Sequence, residues 1–281
     1  MKVLANKVAV VTGAGGALGR ALALACARRG MRLVLADVDS GSLAQTGDLI
    51  RDEVPGAEWV SLRVNVSKYE EVESLATLAC ERFGGAHLLF NNAGVGMAAP
   101  IWENTADDWQ WVTSVNLFGV AWGVRAFAPI MLRQSEGHIV NIASAAGWFS
   151  PPGSGIYNTT KAAVVALSET LANDLVETGK HIGVSVVSPA YFQSGITNSE
   201  RNRPGELSET AKLSEIRRAH EEQVKKAVEA GQISATQIAE VTLEAVEQGR
   251  FYVFPHTWVP DGIAAKSKAA RLGRTAFNPQ A

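Results

Sequence analysis

Seven short apolar runs, most of them rich in β-branched residues, alternate along this chain with longer segments of helical period. They are Val8–Val11, Arg32–Leu35, Trp59–Leu62, His87–Phe90, Ile139–Ile142, Val184–Val187 and Phe251–Phe254. An uninterrupted apolar run suits a strand covered on both faces, and a helix between successive strands returns the chain for parallel pairing. The alternation predicts an α/β fold: a Rossmann-like, doubly wound parallel sheet in a three-layer α/β/α arrangement, with ligands at the carboxyl ends of the strands. The first helix is expected over Ala17–Arg29. No Pro/Gly/Ser-rich linker divides the chain, which predicts one domain over 1–262 and a basic tail over 263–281.

Two stretches depart from the alternation. Glu200–Glu229 holds seven acidic and seven basic residues, yet Leu213, Ile216, Val224 and Val228 keep an approximate helical stripe. It reads either as a solvated surface helix or, because it follows a strand's carboxyl end, as a substrate flap over about 196–232. The tail carries Lys266, Lys268, Arg271 and Arg274 without an acid after Asp261, and reads as a frayed terminus.

With 281 residues and 47% apolar composition, the chain can bury a core without disulfides or a structural metal. Its 26 basic and 28 acidic residues lack the basic footprint of a nucleic-acid binder. Cys26 and Cys80 lie in helical apolar segments and read as small core residues, which points to a reducing compartment. The N-terminus runs directly into a strand and no apolar stretch approaches about 18 residues, so the expectation is a cytoplasmic protein without a membrane partner.

The first strand ends in Thr12-Gly13-Ala14-Gly15-Gly16-Ala17-Leu18-Gly19, and a helix follows at once. Glycines there let the backbone turn tightly and approach a pyrophosphate, whose charge meets the free N–H groups of the helix start. The strict G-x-G-x-x-G spacing fails, because Leu18 stands three residues after Gly15. The second strand ends at Asp37, placed to accept hydrogen bonds from an adenosine ribose and to repel a 2′-phosphate, which favours NAD over NADP. As a plain turn residue Asp37 would be redundant, since Asp39 alone can cap the next helix.

Tyr157 and Lys161 share one helix face after the Pro151-Pro152-Gly153 breaker. A phenol of pKa about 10 costs about 4 kcal/mol to ionise at pH 7. An ammonium about 4 Å away, at an effective dielectric near 20, is worth a comparable amount. The pair is therefore a candidate acid/base, although Y-x-x-x-K alone arises often by chance. Ser144 follows the strand Ile139–Ile142, where its hydroxyl can meet a substrate oxygen at the top of the sheet. It lacks a G-x-S-x-G elbow, and no histidine is placed to make it a nucleophile. Asn116 sits within a long helical segment that it suits poorly, where its amide can interrupt the backbone ladder and hold a water near Lys161.

Together these residues resemble the short-chain dehydrogenase/reductase superfamily in its single-domain form, strongly over about 6–195. The family's T-G-x-x-x-G-x-G matches at Thr12, Gly13 and Gly19 with Ala17 in place of the middle glycine, and its N-N-A-G stands at Asn91–Gly94. The resemblance implies a catalytic tetrad of Asn116, Ser144, Tyr157 and Lys161. It implies NAD contacts from Thr12, Gly13, Gly16, Ala17, Leu18, Gly19, Asp37, Asn65, Val66, Asn92, Ala93 and Gly94, then from Tyr157, Lys161, Pro189, Phe192 and Ser194. Tyr157 would exchange the proton, Ser144 orient the oxygen, Lys161 lower the tyrosine pKa and bind the nicotinamide ribose, and Asn116 hold the relay water. Homodimers or homotetramers are expected, and no metal.

This sequence departs from the pattern in several places. Pro189-Ala190 replaces Pro-Gly, Ser194 the commoner threonine and Asn65 an aspartate, and Gly249–Pro255 supplies the last strand in place of the usual Asp-Gly-Gly ending. Val95, Met97, Trp102, Ser144, Trp148, Phe149, Ile156, Tyr191 and Phe192 are expected to border the substrate. That bulky, apolar set suits a hydrophobic secondary alcohol or ketone. A catalytically silent nucleotide-binding scaffold and a non-redox epimerase or dehydratase on the same fold stay open as alternatives.

Overall fold

The computed structural model describes residues 1, 3–207 and 214–274; Leu213 of the expected stripe lies outside them. Seven strands form one parallel sheet in the order β3-β2-β1-β4-β5-β6-β7. They are β1 (Val8–Thr12), β2 (Arg32–Asp37), β3 (Trp59–Arg63), β4 (Leu88–Asn91), β5 (Glu136–Ile142), β6 (His181–Val187) and β7 (Tyr252–Val253). All seven expected runs are strands. β5 and β6 each begin three residues before the expected start, because the backbone pairs from Glu136 with His181 onward although those side chains are polar.

Alternate residues of each strand enter opposite layers, as the period of two requires. Ala9, Val11, Leu33, Leu35, Leu88 and Phe90 pack under α1 (Ala17–Arg28), α2 (Ser40–Glu53) and α9 (Ala235–Gln248). Val8, Val10, Val34, Leu89 and Ile139 pack under α3 (Tyr69–Phe83) and α5 (Gly119–Gln134). The strand order switches sides between β1 and β4, which opens a crevice at their carboxyl ends.

α4 (Ala106–Thr113) continues through one π-helical turn, Ser114–Phe118, into α5. By length and composition this run of 29 residues is apolar enough to cross a membrane, contrary to the sequence expectation. Here Phe127 and Met131, both fully buried, place α5 in the layer that covers the sheet.

The short α6 (Ala146–Phe149) and the long α7 (Gly155–Glu177) follow β5. A chain of buried amides and hydroxyls ties α7 to the sheet: Asn91 Nδ2 donates to Asn141 Oδ1 at 2.9 Å, and Asn141 Nδ2 donates to Ser168 Oγ at 2.9 Å. Two 3₁₀ turns, Gly195–Asn202 and Gly205–Leu207, and α8 (Glu215–Glu229) lie in the expected flap region, of which residues 208–213 fall outside the described residues. The basic segment is not frayed up to Arg271: α10 (Trp258–Arg271) runs through position 262 and carries Lys266, Lys268 and Arg271. Val259 anchors that helix with no exposed surface.

Candidate active site

The crevice is a cleft of about 1290 Å³ that runs from the glycine turn after β1 to the ends of β5 and β6. Gly13 adopts φ +64, and a Cβ there would stand 2.8 Å from Ala93 Cα. A Cβ on Gly19 would stand 2.0 Å from the Gly13 carbonyl oxygen, so only glycine lets α1 start this close to the turn. Gly16 begins α1 without any side-chain cap, and the helix start opens onto the cleft. Asp37 also lines the cleft; its Oδ2 accepts from Gly15 N at 2.8 Å and its Oδ1 from Asp39 N at 3.0 Å. Asp39 caps α2 through Gly41 N and Ser42 N, the division of labour expected from the sequence. Uncapped backbone N–H groups beside bare glycines, with a carboxylate at the next strand end, fit a dinucleotide's pyrophosphate and adenosine ribose.

The Asn91–Gly94 segment is clasped to the glycine turn. Asn92 Nδ2 donates to the carbonyls of Thr12 (2.8 Å) and Gly13 (3.1 Å), while the backbone N–H groups of Asn92 and Ala93 donate to Thr12 Oγ1. These bonds occupy the hydroxyl of Thr12, which is buried, stands off the cleft wall and clasps the two segments together. The other expected cofactor positions all line the cleft, from Gly13, Gly16, Ala17, Leu18 and Gly19 through Asn65 and Val66 to Pro189, Phe192 and Ser194. The Pro189-Ala190 loop is held by its backbone: Ala145 N donates to the Pro189 carbonyl at 2.9 Å, and Ala190 N to His256 Nδ1 at 3.1 Å.

At the other end of the cleft stand Ser144, Tyr157 and Lys161. Ser144 Oγ accepts from Ala146 N at 3.1 Å at the start of α6. Tyr157 and Lys161 share one face of α7, with Lys161 Nζ 5.6 Å from the phenol ring centre. Lys161 is 4% exposed and donates to the Ile142 carbonyl at 2.8 Å. Tyr157 keeps part of its surface open to the cleft, yet the protein packs densely enough around it that burial pushes the phenol up to about 12, against a downward pull from its hydrogen bond with Ser144. Burial likewise brings the Lys161 ammonium down to about 8. The expected lowering of the tyrosine by the lysine does not appear: burial holds the phenol above its ordinary value, so at neutral pH Tyr157 is protonated beside a lysine that is still charged.

Asn116 does not reach the cleft wall. It is fully buried in the π-helical turn, where its Oδ1 accepts from Val95 N (2.8 Å) and its Nδ2 donates to the Val95 carbonyl (2.9 Å). The irregular turn agrees with asparagine's poor fit to a helix, and the amide binds the Val95 backbone as a neighbouring strand would. A Cβ on Gly94 would lie 3.4 Å from Asn116 Oδ1 and 3.6 Å from Lys161 Nζ, so Asn116 backs the cleft wall where Gly94 and Lys161 meet.

Of the expected substrate border, Val95, Met97, Ser144, Phe149, Tyr191 and Phe192 line the cleft. Trp148 does not. Its Nε1 donates to Ser188 Oγ at 3.0 Å and its ring packs edge-on to Tyr252 and Phe254, because neighbours on a helix point about 100° apart and Phe149 takes the cleft side. Ile156 is core beside Trp111 and Val112, and Trp102 is 77% exposed away from the cleft. Trp111, Ser199, Arg217 and Trp258 line the cleft without having been expected to. Arg217 lies in a charge-balanced run that masks single roles, and Trp258 lies between the last expected strand and the tail, where no motif marks it.

A parallel sheet of this order, a glycine cradle and a Ser-Tyr-Lys cluster in one cleft define a nucleotide-dependent oxidoreductase of the α/β class. The chain belongs to the short-chain dehydrogenase/reductase family: the short chain dehydrogenase family model matches residues 7–205. It is similar to a short-chain dehydrogenase/reductase from Burkholderia phymatum solved in complex with NAD, at 47% identity over 99% of both chains with a TM-score of 0.96. It is also 33% identical to a CLA biosynthesis dehydrogenase/reductase of Lactiplantibacillus plantarum, covering 91% of this chain and 90% of that protein. The oxidoreductase SadH of Mycobacterium tuberculosis, itself named as putative, is 33% identical over 75% of each chain.

Proposed function

We propose that this protein transfers hydride between NAD(H) and a hydrophobic secondary alcohol or ketone. The observation that carries the reading is the shared cleft, in which Tyr157, flanked by Ser144 and Lys161, lies at one end and the glycine cradle with Asp37 at the other. NAD is preferred to NADP because the Asp37 carboxylate would repel a 2′-phosphate; the NAD complex of the Burkholderia relative supports this.

The cofactor, when bound, supplies or accepts the hydride. In the reducing direction Tyr157 gives its phenolic proton to the carbonyl oxygen, and Ser144 donates a hydrogen bond to that oxygen as charge develops. Lys161, charged below about pH 8, steadies the phenolate that Tyr157 becomes. Asn116 acts at one remove, by fixing the Val95 backbone at the substrate border. In the oxidising direction the same groups take the proton back.

The test is to titrate NADH and NADPH by fluorescence and then follow nicotinamide absorbance across hydrophobic alcohols and ketones. Tyr157→Phe is expected to keep NADH binding and lose turnover; full activity in that variant overturns the mechanism. Binding without turnover of any alcohol or ketone would favour the silent scaffold.

A further inference from the structure

We infer that Trp258, on the C-terminal helix α10, is a specificity-determining residue: with Phe149 it forms an aromatic wall that selects ketones carrying a flat, fused ring over short aliphatic ones. This rests on the alcohol/ketone reading and names the substrate class within it.

The wall is rigidly tied to the reacting groups. Ser144 stands just before α6 and holds its first turn: its hydroxyl takes the Ala146 N–H and its carbonyl that of Gly147 at 3.0 Å. A Cβ on Gly147 would stand 2.7 Å from the Lys161 backbone, so α6 lies directly against the catalytic helix. Phe149 ends α6, closed by Ser150 in the left-handed region at φ 52, so its position follows from those of Ser144 and Lys161.

α10 is fitted to Phe149 at three points. Trp258 stacks on the Phe149 ring with centroids 5.5 Å apart and planes 26° from parallel. One turn on, Gly262 admits the ring edge, since a Cβ there would stand 2.8 Å from Phe149 Cζ. Val259 is fully buried in the same cluster as Phe149 and Ala145. Lys266 Nζ fastens the helix by donating to the Trp148 carbonyl in α6. Both Phe149 and Trp258 line the cleft, but Phe149 is 3% exposed whereas Trp258 is 47% exposed. A large indole left half open within an apolar cleft gains from a flat ligand that extends its stack, and a short aliphatic chain ending before it gains nothing.

The experiment compares wild type, Trp258→Ala and Trp258→Phe with NADH and two ketones, the bicyclic 1-tetralone and 2-butanone. Binding of tetralone to the NADH-loaded protein is measured in parallel by calorimetry. Trp258→Ala is expected to lower kcat/KM and affinity for tetralone by about tenfold while moving 2-butanone by less than about threefold, and Trp258→Phe to restore most of the loss. Equal losses on both ketones, or none on either, overturn the wall. If Trp258→Ala does not fold, Trp258→Phe against Trp258→Leu poses the same question, since leucine keeps the apolar bulk without the ring. A tetralone affinity that depends on residue 258 in a protein that turns over neither ketone refutes the alcohol/ketone reading and leaves the wall standing.

Discussion

Lys161→Met should yield a protein that is more stable at neutral pH and inactive. Burial brings the Lys161 ammonium from 10.5 to about 8, which corresponds to about 3 kcal/mol spent in keeping it charged inside the fold. Methionine fills nearly the same volume without charge but leaves the Ile142 carbonyl without the donor it has at 2.8 Å, a loss of about 1–2 kcal/mol. The balance is a gain of about 1–2 kcal/mol for the variant at pH 7. The sign with pH follows from linkage. Between about 8 and 10.5 the unfolded lysine holds a proton that the folded one has released, so wild-type stability rises with pH across that window relative to the variant. Urea unfolding of both proteins at pH 7, 8, 9 and 10 should show the variant's advantage constant below 8, shrinking above it and reversed near 10. Groups common to both proteins cancel in the difference. A gap that stays constant from pH 7 to 10, or a variant less stable at pH 7, would refute the burial account of this lysine.

Three further outcomes are expected. Asp37→Ala should narrow the NADH/NADPH preference and weaken NADH binding several-fold in fluorescence titrations, because it removes both the repelling carboxylate and the acceptor of Gly15 N; an unchanged ratio would refute its role. Gly19→Ala places a Cβ 2.0 Å from the Gly13 carbonyl oxygen, so the glycine turn must move; NADH binding should fall by about two orders of magnitude with the far-ultraviolet circular dichroism retained. His138 is held neutral by burial, down to about 3, with Nε2 2.8 Å from Ser185 Oγ. Its contribution is present above about pH 6.5 and lost as pH falls from there toward 3, at about 1.4 kcal/mol per unit, and His138→Gln should flatten that limb of the unfolding curve.

The sheet was legible because its inner strands β1, β2 and β4 are apolar on both faces, and so were the glycine cradle and the Ser-Tyr-Lys cluster, because their spacing is set by strand ends and one helix face. What stayed hidden depended on contacts distant in sequence. Thr12 sits inside a matching motif, yet its hydroxyl is occupied by a loop some 80 residues away. Trp148 and Phe149 are adjacent and equally bulky, and only the packing of α6 between β7 and α10 decides which of them faces the cleft. The perturbed Tyr157 and Lys161 pKa values reflect burial, which motif spacing does not report. The role of α10 was lost because the basic side chains along it resemble those of a solvated tail, while its one fully buried residue, Val259, carries no signal of its own.

The amide and hydroxyl chain through Asn91, Asn141 and Ser168 bears on how this enzyme can change. Apolar contacts tolerate sliding and rotation, whereas a buried hydrogen bond that slips by one residue leaves two polar groups unpaired. Because Ser168 lies two turns beyond Lys161 on α7, the bond from Asn141 fixes the rotation of that helix about its axis and hence the aim of Tyr157. The aliphatic layers beneath α7 are thereby released from that duty and can be exchanged for others of similar volume, while the direction of the phenol is kept by a few polar atoms that never touch the substrate.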